Sequence, residues 1–343
     1  MSWTGRADKL ANRIAEFIDT SLGHREGAPT NFETLALAIH AWQADHDPVI
    51  ASLITEPVRR WQDIPAVPVA LFKSLPVGTV NPGQEKHLFR TSGTTGSGQG
   101  VHRLRSTALY DRAALGWMRR CVPGPPSDVV ALMTDPVTDP SSSLAHMVAL
   151  FAPPTRATWH LQDGRLRIED LNAAVRSASK PIFLASTAFA MAEWLDAEVP
   201  PLPPRSVVMV TGGFKGRVHK LDDQSLYAEI EAQLRPDRLV TEYGMTELSS
   251  QLWGTPTTPY RPPPWLRVLA VDPQTGAPLP PRISGQLRFF DLCNLDGSIG
   301  IETLDRGIVH EDGSVSLQGR LEGAPARGCS LTVEEAWATG GRS

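Results

Sequence analysis

One stretch of ten residues, 91–100, carries the most specific chemical pattern in this chain. It is TSGTTGSGQG, with four glycines and five serine or threonine hydroxyls. Glycines free the backbone to expose amide N–H groups, and the hydroxyls add small neutral donors. The pattern predicts a loop around a polyphosphate, although a flexible surface loop has the same composition. No Gly-Lys-Ser/Thr closes it, so a Walker P-loop and a phosphotransferase are excluded.

Two further polar sequences follow apolar runs that are typical of strands. Residues 207–210 (VVMV) lead into TGGFKGR, and residues 238–241 (RLVT) lead into EYGMTE. One helical segment separates the runs, so a right-handed crossover brings both strand ends to one edge of a sheet. There, Glu247 offers a hard oxygen ligand for Mg²⁺ and Thr246 a hydroxyl for phosphate. A simple turn and a helix-capping glutamate are the structural alternatives.

The segments around these motifs alternate between apolar strands and amphipathic helices. Strand-like runs stand at residues 129–133, 182–184, 207–210 and 238–241. The alternation predicts an α/β fold with a parallel sheet covered on both faces. Short strands and turns beyond Trp265 predict a smaller β-rich subdomain. The predicted domains are an N-terminal helical region (1–88), a nucleotide-binding α/β core (89–262), a C-terminal β-rich subdomain (263–331) and a tail (332–343).

Composition excludes several classes of function. A net charge of −4 with 20% charged residues argues against a nucleic-acid partner or a membrane surface. No signal sequence and no membrane-length apolar run is present, which predicts a cytoplasmic protein. The three cysteines, Cys121, Cys293 and Cys329, form no CxxC pair, so a zinc site or a disulfide framework is not expected.

The order of the motifs resembles the ANL superfamily of adenylate-forming enzymes. Residues 91–100 are similar to its Thr-Ser-Gly-Thr-Thr-Gly-x-Pro-Lys-Gly signature, and residues 243–247 to its Tyr-Gly-x-Thr-Glu signature. Residues 303–305 (TLD) resemble its Thr-Gly-Asp, and residues 319–320 (GR) its hinge Gly-Arg. The expected fold is an ANL-type adenylation core with parallel and mixed sheets flanked by helices.

Within that superfamily, the chain most resembles the acyl-protein synthetases of the LuxE family. The similar segments run along most of the chain: IPAVPVALFK at 64–73, the loop from 89 to 96, SSLAHM at 142–147, residues 211–217, YGMTELSSQ at 243–251 and RGCSL at 327–331. Such enzymes form an acyl adenylate from ATP and pass the acyl group through a cysteine to a partner. The resemblance therefore implies ATP and Mg²⁺, a carboxylic acid of the fatty acyl class as substrate, and a reductase or carrier protein as acceptor.

The resemblance also implies the roles of individual residues. Glu247 would bind Mg²⁺ and, with Thr246, act in catalysis; Asp305 would hold the ribose hydroxyls, and Arg320 would complete the nucleotide site. The remaining nucleotide-binding candidates are Thr91, Ser92, Gly93, Thr94, Thr95 and Gly96 for the phosphates, Gly212, Gly213 and Phe214 for the adenine, and Tyr243 and Gly244 beside them.

Two departures from the superfamily pattern matter. Gly98-Gln99 replaces the signature's Pro-Lys, and the chain ends soon after residue 331, without the C-terminal lid domain that carries a catalytic lysine. Lys215 is the expected replacement cation, with Arg217 as the alternative. Cys329, beside Arg327, is the candidate acyl-carrying nucleophile, with a buried structural thiol as the alternative.

Three functions remain open on the sequence alone. The first is activation of a fatty acid with transfer to a protein thiol or carrier, and the second is adenylation of an aromatic or small acid. The third is a non-catalytic protein that binds an acid or a nucleotide, which the neutral Gln99 favours. Cys121 and Cys293 are expected to be packing residues. His102, just after the glycine loop, is expected to be a surface histidine, with the carboxylate site as its alternative.

Overall fold

The computed structural model describes residues 3–25, 31–91, 99–122, 124, 128–212 and 222–321. The chain forms two compact units, each built from separate segments. The first unit comprises Met1–Ala114, Met245–Ser250 and Pro262–Ser343, and the second comprises Leu115–Gly244 and Gln251–Arg261. The predicted domain boundaries after residues 88, 262 and 331 stay a prediction.

Helices occur in both units. Their bounds are α1 Trp3–Ser21, α2 Phe32–Ala44, α3 Pro48–Ser52, α4 Leu71–Ser74, α5 Ala108–Cys121, α6 Ser143–Ala149, α7 Ile168–Ser177, α8 Ala188–Leu195 and α9 Asp223–Leu234. In the part of the chain that the structure describes, no helix combines the length and apolarity needed to cross a bilayer.

Strands make up most of the remaining regular structure. Their bounds are β1 Val67–Pro68, β2 His87–Arg90, β3 Val101–Leu104, β4 Asp128–Leu132, β5 Ala157–Trp159, β6 Leu161–Gln162, β7 Arg165–Leu166, β8 Ile182–Thr187, β9 Val207–Thr211, β10 Arg238–Tyr243, β11 Leu252–Thr255, β12 Thr258–Arg261, β13 Leu266–Val271, β14 Ser284–Asp291, β15 Gly300–Val309 and β16 Val315–Arg320.

The second unit is built on a parallel sheet with the strand order β5-β4-β8-β9-β10. Strands β11 and β12 extend it as an antiparallel hairpin. Its central strand β8 buries Phe183, Leu184 and Ala185 completely, as expected for a strand covered on both faces. Helices α7, α8 and α9 supply Leu171, Trp194 and other apolar side chains to the same core.

The first unit holds an antiparallel meander, β13-β14-β15-β16, with β1 paired in parallel to the start of β15. Strands β2 and β3 form a separate hairpin on either side of the glycine loop. The connection between β14 and β15, residues 292–299, is unusual because every residue in it is buried. A buried loop has to satisfy its backbone groups with internal partners.

The predicted fold class is confirmed. The parallel strands at residues 128–132, 182–187, 207–211 and 238–243 lie where the apolar runs predicted them, and the region beyond Trp265 is rich in strands. Strand β15 was not predicted from the sequence. Its charged residues interrupt the apolar pattern on which strand prediction depends, because they form ion pairs inside the sheet.

Candidate functional site

The two ends of the glycine loop are joined by a pair of hydrogen bonds. The Thr91 amide donates to the Gly100 carbonyl over 3.0 Å. The Gly100 amide donates to Thr91 Oγ1 over 2.9 Å. These bonds continue the β2–β3 ladder by one step, so a regular hairpin fixes where the loop begins and ends.

The Thr246–Glu247 turn lies against this base. A Cβ placed on Gly100 would come within 2.9 Å of Glu247 Oε1, so the carboxylate touches the backbone of the loop's last glycine. Thr246 Oγ1 donates to the Arg90 carbonyl over 3.4 Å. Glu247 is 2% exposed and stands in a turn, so the alternative of a helix-capping glutamate is wrong. Two motifs far apart in the sequence are thereby brought together, as in the contact between Thr246 and Arg90, which are 156 residues apart.

Two side chains hold the backbone carbonyls of this turn. His102 Nδ1 donates to the Thr246 carbonyl over 2.8 Å. Asn294 Nδ2 donates to the Glu247 carbonyl over 2.8 Å and to the Ser298 carbonyl over 3.0 Å. Each of two successive carbonyls of the motif therefore accepts a hydrogen bond from a buried side chain of another segment.

The expectation of a surface histidine at 102 was wrong. His102 is 1% exposed, and burial lowers its pKa, so the ring is neutral at physiological pH. Because a carbonyl can only accept, the proton is on Nδ1. The unprotonated Nε2 has no hydrogen-bond partner among the described residues, and it faces Gly297, where a Cβ would lie 2.8 Å away.

The buried 292–299 loop is itself held by side chains of the first unit. Gln43 Nε2 donates to the carbonyls of Asn294 and Leu295 over 2.7 and 3.2 Å, and Gln43 Oε1 accepts from the Ile299 amide over 3.0 Å. Arg105 forms an ion pair with Asp296 at 2.5 Å. Helix α2, the residue that follows strand β3 and the motif turn thus meet on one loop.

A buried carboxylate links the start of this loop to the residues that follow Glu247. Asp291 is 0% exposed and accepts hydrogen bonds from the Ser249 amide, the Ser250 hydroxyl and the Cys293 amide at 2.8–3.0 Å. Burial raises the pKa of Asp291 to about 6, and these hydrogen bonds act in the opposite direction. The carboxylate is therefore largely ionised at neutral pH, and its donors stabilise it there.

The structure brings Asp305 and Arg320 together. They are cross-strand partners on β15 and β16, and Arg320 Nε donates to Asp305 Oδ1 over 2.9 Å. The Asp305 side chain is 10% exposed, whereas that of Arg320 is 52% exposed. The ion pair fixes the orientation of a carboxylate that the sequence assigned to the ribose.

The remaining described candidates lie at two strand ends of the second unit. Gly212 follows β9 with φ of 68°, a left-handed conformation that favours glycine. Tyr243 ends β10 and packs edge-on against Tyr260, with ring centroids 6.1 Å apart. A Cβ on Gly244 would lie 2.5 Å from Glu242 Oε1, so the glycine leaves room for that carboxylate.

Glu242, near the end of β10, is a further buried carboxylate, 3% exposed, to which the sequence motifs assign no role. It accepts a hydrogen bond from Thr211 Oγ1. Burial raises the pKa of Tyr260, and the charge of Glu242 adds to this effect. An acidic residue at the end of an apolar strand and two positions before a glycine was the available signal. For His102 and Asn294 no such signal exists, because their partners are backbone carbonyls far away in sequence.

Several predicted residues lie outside the described residues. These are Ser92, Gly93, Thr94, Thr95, Gly96, Gly213, Phe214, Lys215 and Cys329. Of the other two cysteines, Cys293 is buried and Cys121 is partly buried. Burial raises the pKa of Cys121 to about 12 and that of Cys293 well above its ordinary value. The raised pKa values favour the protonated thiols at neutral pH, which is compatible with packing roles for both residues.

The donor set fits a metal that is held mainly by phosphates. Within the described ranges, no group of three or more His, Cys, Asp or Glu side chains could hold a metal ion. A dedicated protein site for Zn²⁺ or Ca²⁺ needs such a group, whereas Mg²⁺ commonly uses one or two carboxylates together with substrate phosphates. The single carboxylate of Glu247 beside the loop base is compatible with Mg²⁺ that is held together with substrate phosphates.

The chain resembles known proteins in part of its sequence and in its fold. No protein-family model matches the chain. A long-chain-fatty-acid–luciferin-component ligase of Vibrio harveyi is 26% identical over 147 residues, which cover 39% of this chain and 38% of that protein. The chain thus matches well under half the length of this curated relative.

Solved structures resemble the chain over a larger part of its length. A 2-hydroxyisobutyryl-CoA ligase in complex with 2-HIB-AMP and CoA has a TM-score of 0.64 at 15% identity, covering 85% of this chain and 75% of that one. The o-succinylbenzoate CoA synthetase of Bacillus subtilis, bound with a product analogue, has a TM-score of 0.51 at 16% identity, covering 71% and 50%. The chain therefore shares the fold of these two CoA ligases, in agreement with the α/β fold class that its sequence predicted.

Proposed function

We propose that the chain uses ATP and Mg²⁺ to activate a carboxylic acid as its acyl adenylate. The observation that carries the proposal is the contact between Glu247 and the base of the glycine loop. An acidic side chain held against a loop rich in amides and hydroxyls suits a metal–polyphosphate complex. The fold shared with CoA ligases supports the same reaction class.

A solved structure of similar fold also supports ATP and Mg²⁺ as cofactors. The o-succinylbenzoate CoA synthetase of Bacillus subtilis has been solved in complex with ATP and magnesium ion, and it matches this chain with a TM-score of 0.50. For this chain, Glu247 would hold the metal and Thr91, with residues 92–96, the β- and γ-phosphates. The metal would neutralise phosphate charge in the transition state.

The reaction would be an in-line displacement at phosphorus. A carboxylate oxygen of the acid attacks the α-phosphorus, and the bond to the pyrophosphate oxygen breaks. The chain's contribution is positioning and charge stabilisation. Gly212, Gly213, Phe214, Tyr243 and Gly244 would border the base, and Asp305, oriented by Arg320, would accept the ribose hydroxyls.

Charge on the α-phosphate needs a cation, and Gln99 leaves the loop without its usual lysine. Lys215 is our proposed replacement, because it follows a strand end of the second unit in the motif TGGFKGR. Losing one such contact typically lowers the rate by about 10²–10³-fold. Full activity of Lys215→Ala in adenylate formation would remove this residue from the mechanism.

The acyl group would then pass to a thiol. The likeness to the Vibrio harveyi long-chain-fatty-acid–luciferin-component ligase supports a fatty acid as substrate. The protein acceptor is what the resemblance to the LuxE family implies. Cys329 is the proposed first acceptor: its thiolate attacks the acyl carbon, and AMP leaves with the bonding electrons. A carrier protein or a partner reductase would receive the acyl group next.

Acid-dependent ATP–pyrophosphate exchange tests the first step. The panel contains fatty, aromatic and short aliphatic acids, with Glu247→Gln as the test variant. We expect exchange with fatty acids and a loss of about 10²–10³-fold in the variant, because the metal loses its carboxylate ligand. Glu302→Gln is the matched control, since Glu302 is also buried in the first unit but pairs with Arg288.

The acid that supports ATP–pyrophosphate exchange also decides between the three candidate functions. Exchange with aromatic or short acids alone would replace the fatty acid with the smaller substrate class. Nucleotide binding without exchange by any acid would favour a non-catalytic binder, the function that Gln99 supports. If Glu247→Gln exchanged pyrophosphate as fast as the unaltered protein, the proposed metal site would be wrong.

A further inference from the structure

His102 and Asn294 stand out among the buried polar side chains that the proposed mechanism does not use. Both are almost fully buried, at 1% and 0% exposure, and each gives a hydrogen bond to a different carbonyl of the Thr246–Glu247 turn. The two residues come from different segments, β3 and the 292–299 loop. The turn is thereby held from two sides by groups that are not part of its own motif.

The consequence for Glu247 follows from its surroundings. Its carboxylate lies beside Gly100, and its own carbonyl is bonded to Asn294. The carbonyl before it is bonded to His102. With the carbonyls on both sides of its Cα fixed, the direction of the Cα–Cβ bond is fixed as well, and the carboxylate is aimed at the loop base.

The same arrangement explains a glycine. Gly297 lies where a Cβ would come within 2.8 Å of His102 Nε2, and its φ is not positive. The glycine is therefore required by the space that the imidazole occupies and not by backbone conformation. The 292–299 loop thus supports the turn twice, directly through Asn294 and indirectly through the room it leaves for His102.

We infer that His102 and Asn294 are positioning residues, which hold the Thr246–Glu247 turn so that Glu247 meets the metal–phosphate complex. This inference rests on the proposed function for its consequence in catalysis. Its structural half, that these two side chains order the turn, stands on the hydrogen bonds alone. The two halves are therefore measured separately.

Backbone hydrogen exchange of residues 245–250 measures the ordering without any substrate. In His102→Leu and Asn294→Leu we expect exchange of this segment to become roughly tenfold faster, because each variant deletes one fixed contact. His102→Asn should restore slow exchange, since the asparagine Nδ2 occupies nearly the same position as histidine Nδ1. Gly297→Ala should reproduce His102→Leu by displacing the ring.

His40 supplies the matched control. It is a second buried histidine of the first unit, 5% exposed, and burial lowers its pKa as for His102. Its Nδ1 has no hydrogen-bond partner among the described residues, so it holds no carbonyl of the motif. His40→Leu should leave exchange of residues 245–250 unchanged. Equal acceleration in His40→Leu and His102→Leu would overturn the inference in favour of general loosening.

Kinetics of ATP–pyrophosphate exchange measure the consequence. A supporting group of a metal ligand typically contributes about 10- to 100-fold, so His102→Leu should lower kcat/KM by this factor and raise the Mg²⁺ concentration needed for half-maximal rate. The acid KM should stay unchanged, because the turn is not assigned to the acid, and His102→Asn should recover most of the rate.

The outcomes separate the inference from the proposed function. Faster backbone hydrogen exchange of residues 245–250, with no change in kcat/KM or in the Mg²⁺ dependence of pyrophosphate exchange, would overturn the positioning role. Adenylation by the protein would stay unaffected by that result. An unaltered protein that shows no pyrophosphate exchange would refute the proposed function, and the hydrogen-exchange comparison would still decide whether His102 and Asn294 order the turn.

Discussion

The two units stabilise their interiors by different means. Around β8, the second unit buries apolar side chains between a parallel sheet and helices, and Leu184 is fully buried there. The first unit buries an irregular loop, residues 292–299, with polar side chains from several segments as partners. One interior depends on packing and the other on matched hydrogen bonds.

The two interiors also differ in how well they tolerate amino-acid substitutions. An apolar core accepts any side chain of suitable shape at a modest cost in free energy. A buried polar network does not, because each donor or acceptor left unpaired loses its solvation without compensation. The polar interior carries the motif turn, so the less tolerant interior is the one that positions the candidate site.

The largest effect is expected for Gln43→Leu. Gln43 is fully buried and pairs with two carbonyls and one amide of the 292–299 loop. Leucine leaves all three groups unpaired, which should lower the free energy of unfolding by roughly 3–6 kcal/mol. Urea denaturation measures the loss, and Gln224→Leu, at an exposed position of α9, should change it by less than about 0.5 kcal/mol. A small effect at Gln43 would mean that water replaces these contacts.

Leu184→Ala is the corresponding change in the apolar interior. It removes a fully buried side chain at the centre of the parallel sheet and leaves a cavity. We expect a loss of about 2–5 kcal/mol by denaturant unfolding. Val137→Ala, at a position that is 87% exposed in the same unit, is the control and should cost less than about 0.5 kcal/mol. If Leu184→Ala cost more than Gln43→Leu, the proposed ranking of the two interiors would be reversed.

The smallest expected effect is a dependence of stability on pH that originates from Asp291. Burial raises the folded-state pKa of Asp291 from 3.8 to about 6, so the folded protein binds this proton more tightly than the unfolded chain does. The resulting stabilisation is complete below about pH 4 and is lost as the pH rises through 6. Two pKa units correspond to at most about 3 kcal/mol.

Asp291→Asn removes the titrating group. The unfolding free energy of the unaltered protein minus that of the variant should fall between pH 4 and 7. The other titrating groups are common to both proteins, so their contributions cancel in this difference. A difference independent of pH would show that Asp291 keeps an ordinary pKa, and that its hydrogen bonds to Ser249, Ser250 and Cys293 fully offset its burial.

The sequence predicted the second unit better than the first for the same physical reason. Strands such as β8 and β9 are continuous apolar runs, and periodicity is a local property that a sequence displays. The 292–299 loop, DLCNLDGSIG with its flanking residues, has no period, and its polar residues are typical of an exposed turn. Its burial depends on partners up to 256 residues away, such as Gln43 for Ile299.

The candidate site shows the same division. The motifs predicted that Glu247 and the glycine loop act together, and the contact through Gly100 agrees with this arrangement. They could not predict His102, because a histidine two residues after a glycine has no local feature that distinguishes a buried donor from a surface side chain. The roles assigned to Asp305, Arg320, Tyr243 and Gly212 stay predictions.

Gly100 has a consequence for anyone who wishes to rebuild this loop. Its φ is not positive, so it is there to leave space for the Glu247 carboxylate and not to bend the chain. The hydrogen bonds at the loop base are made by Thr91 and Gly100 themselves. Gln99, an exposed residue next to Gly100, can therefore be exchanged for lysine without altering the anchoring bonds. A side chain at position 100 would instead occupy the space of the Glu247 carboxylate. The loop and this glutamate would therefore have to be moved together into another protein to reproduce the site.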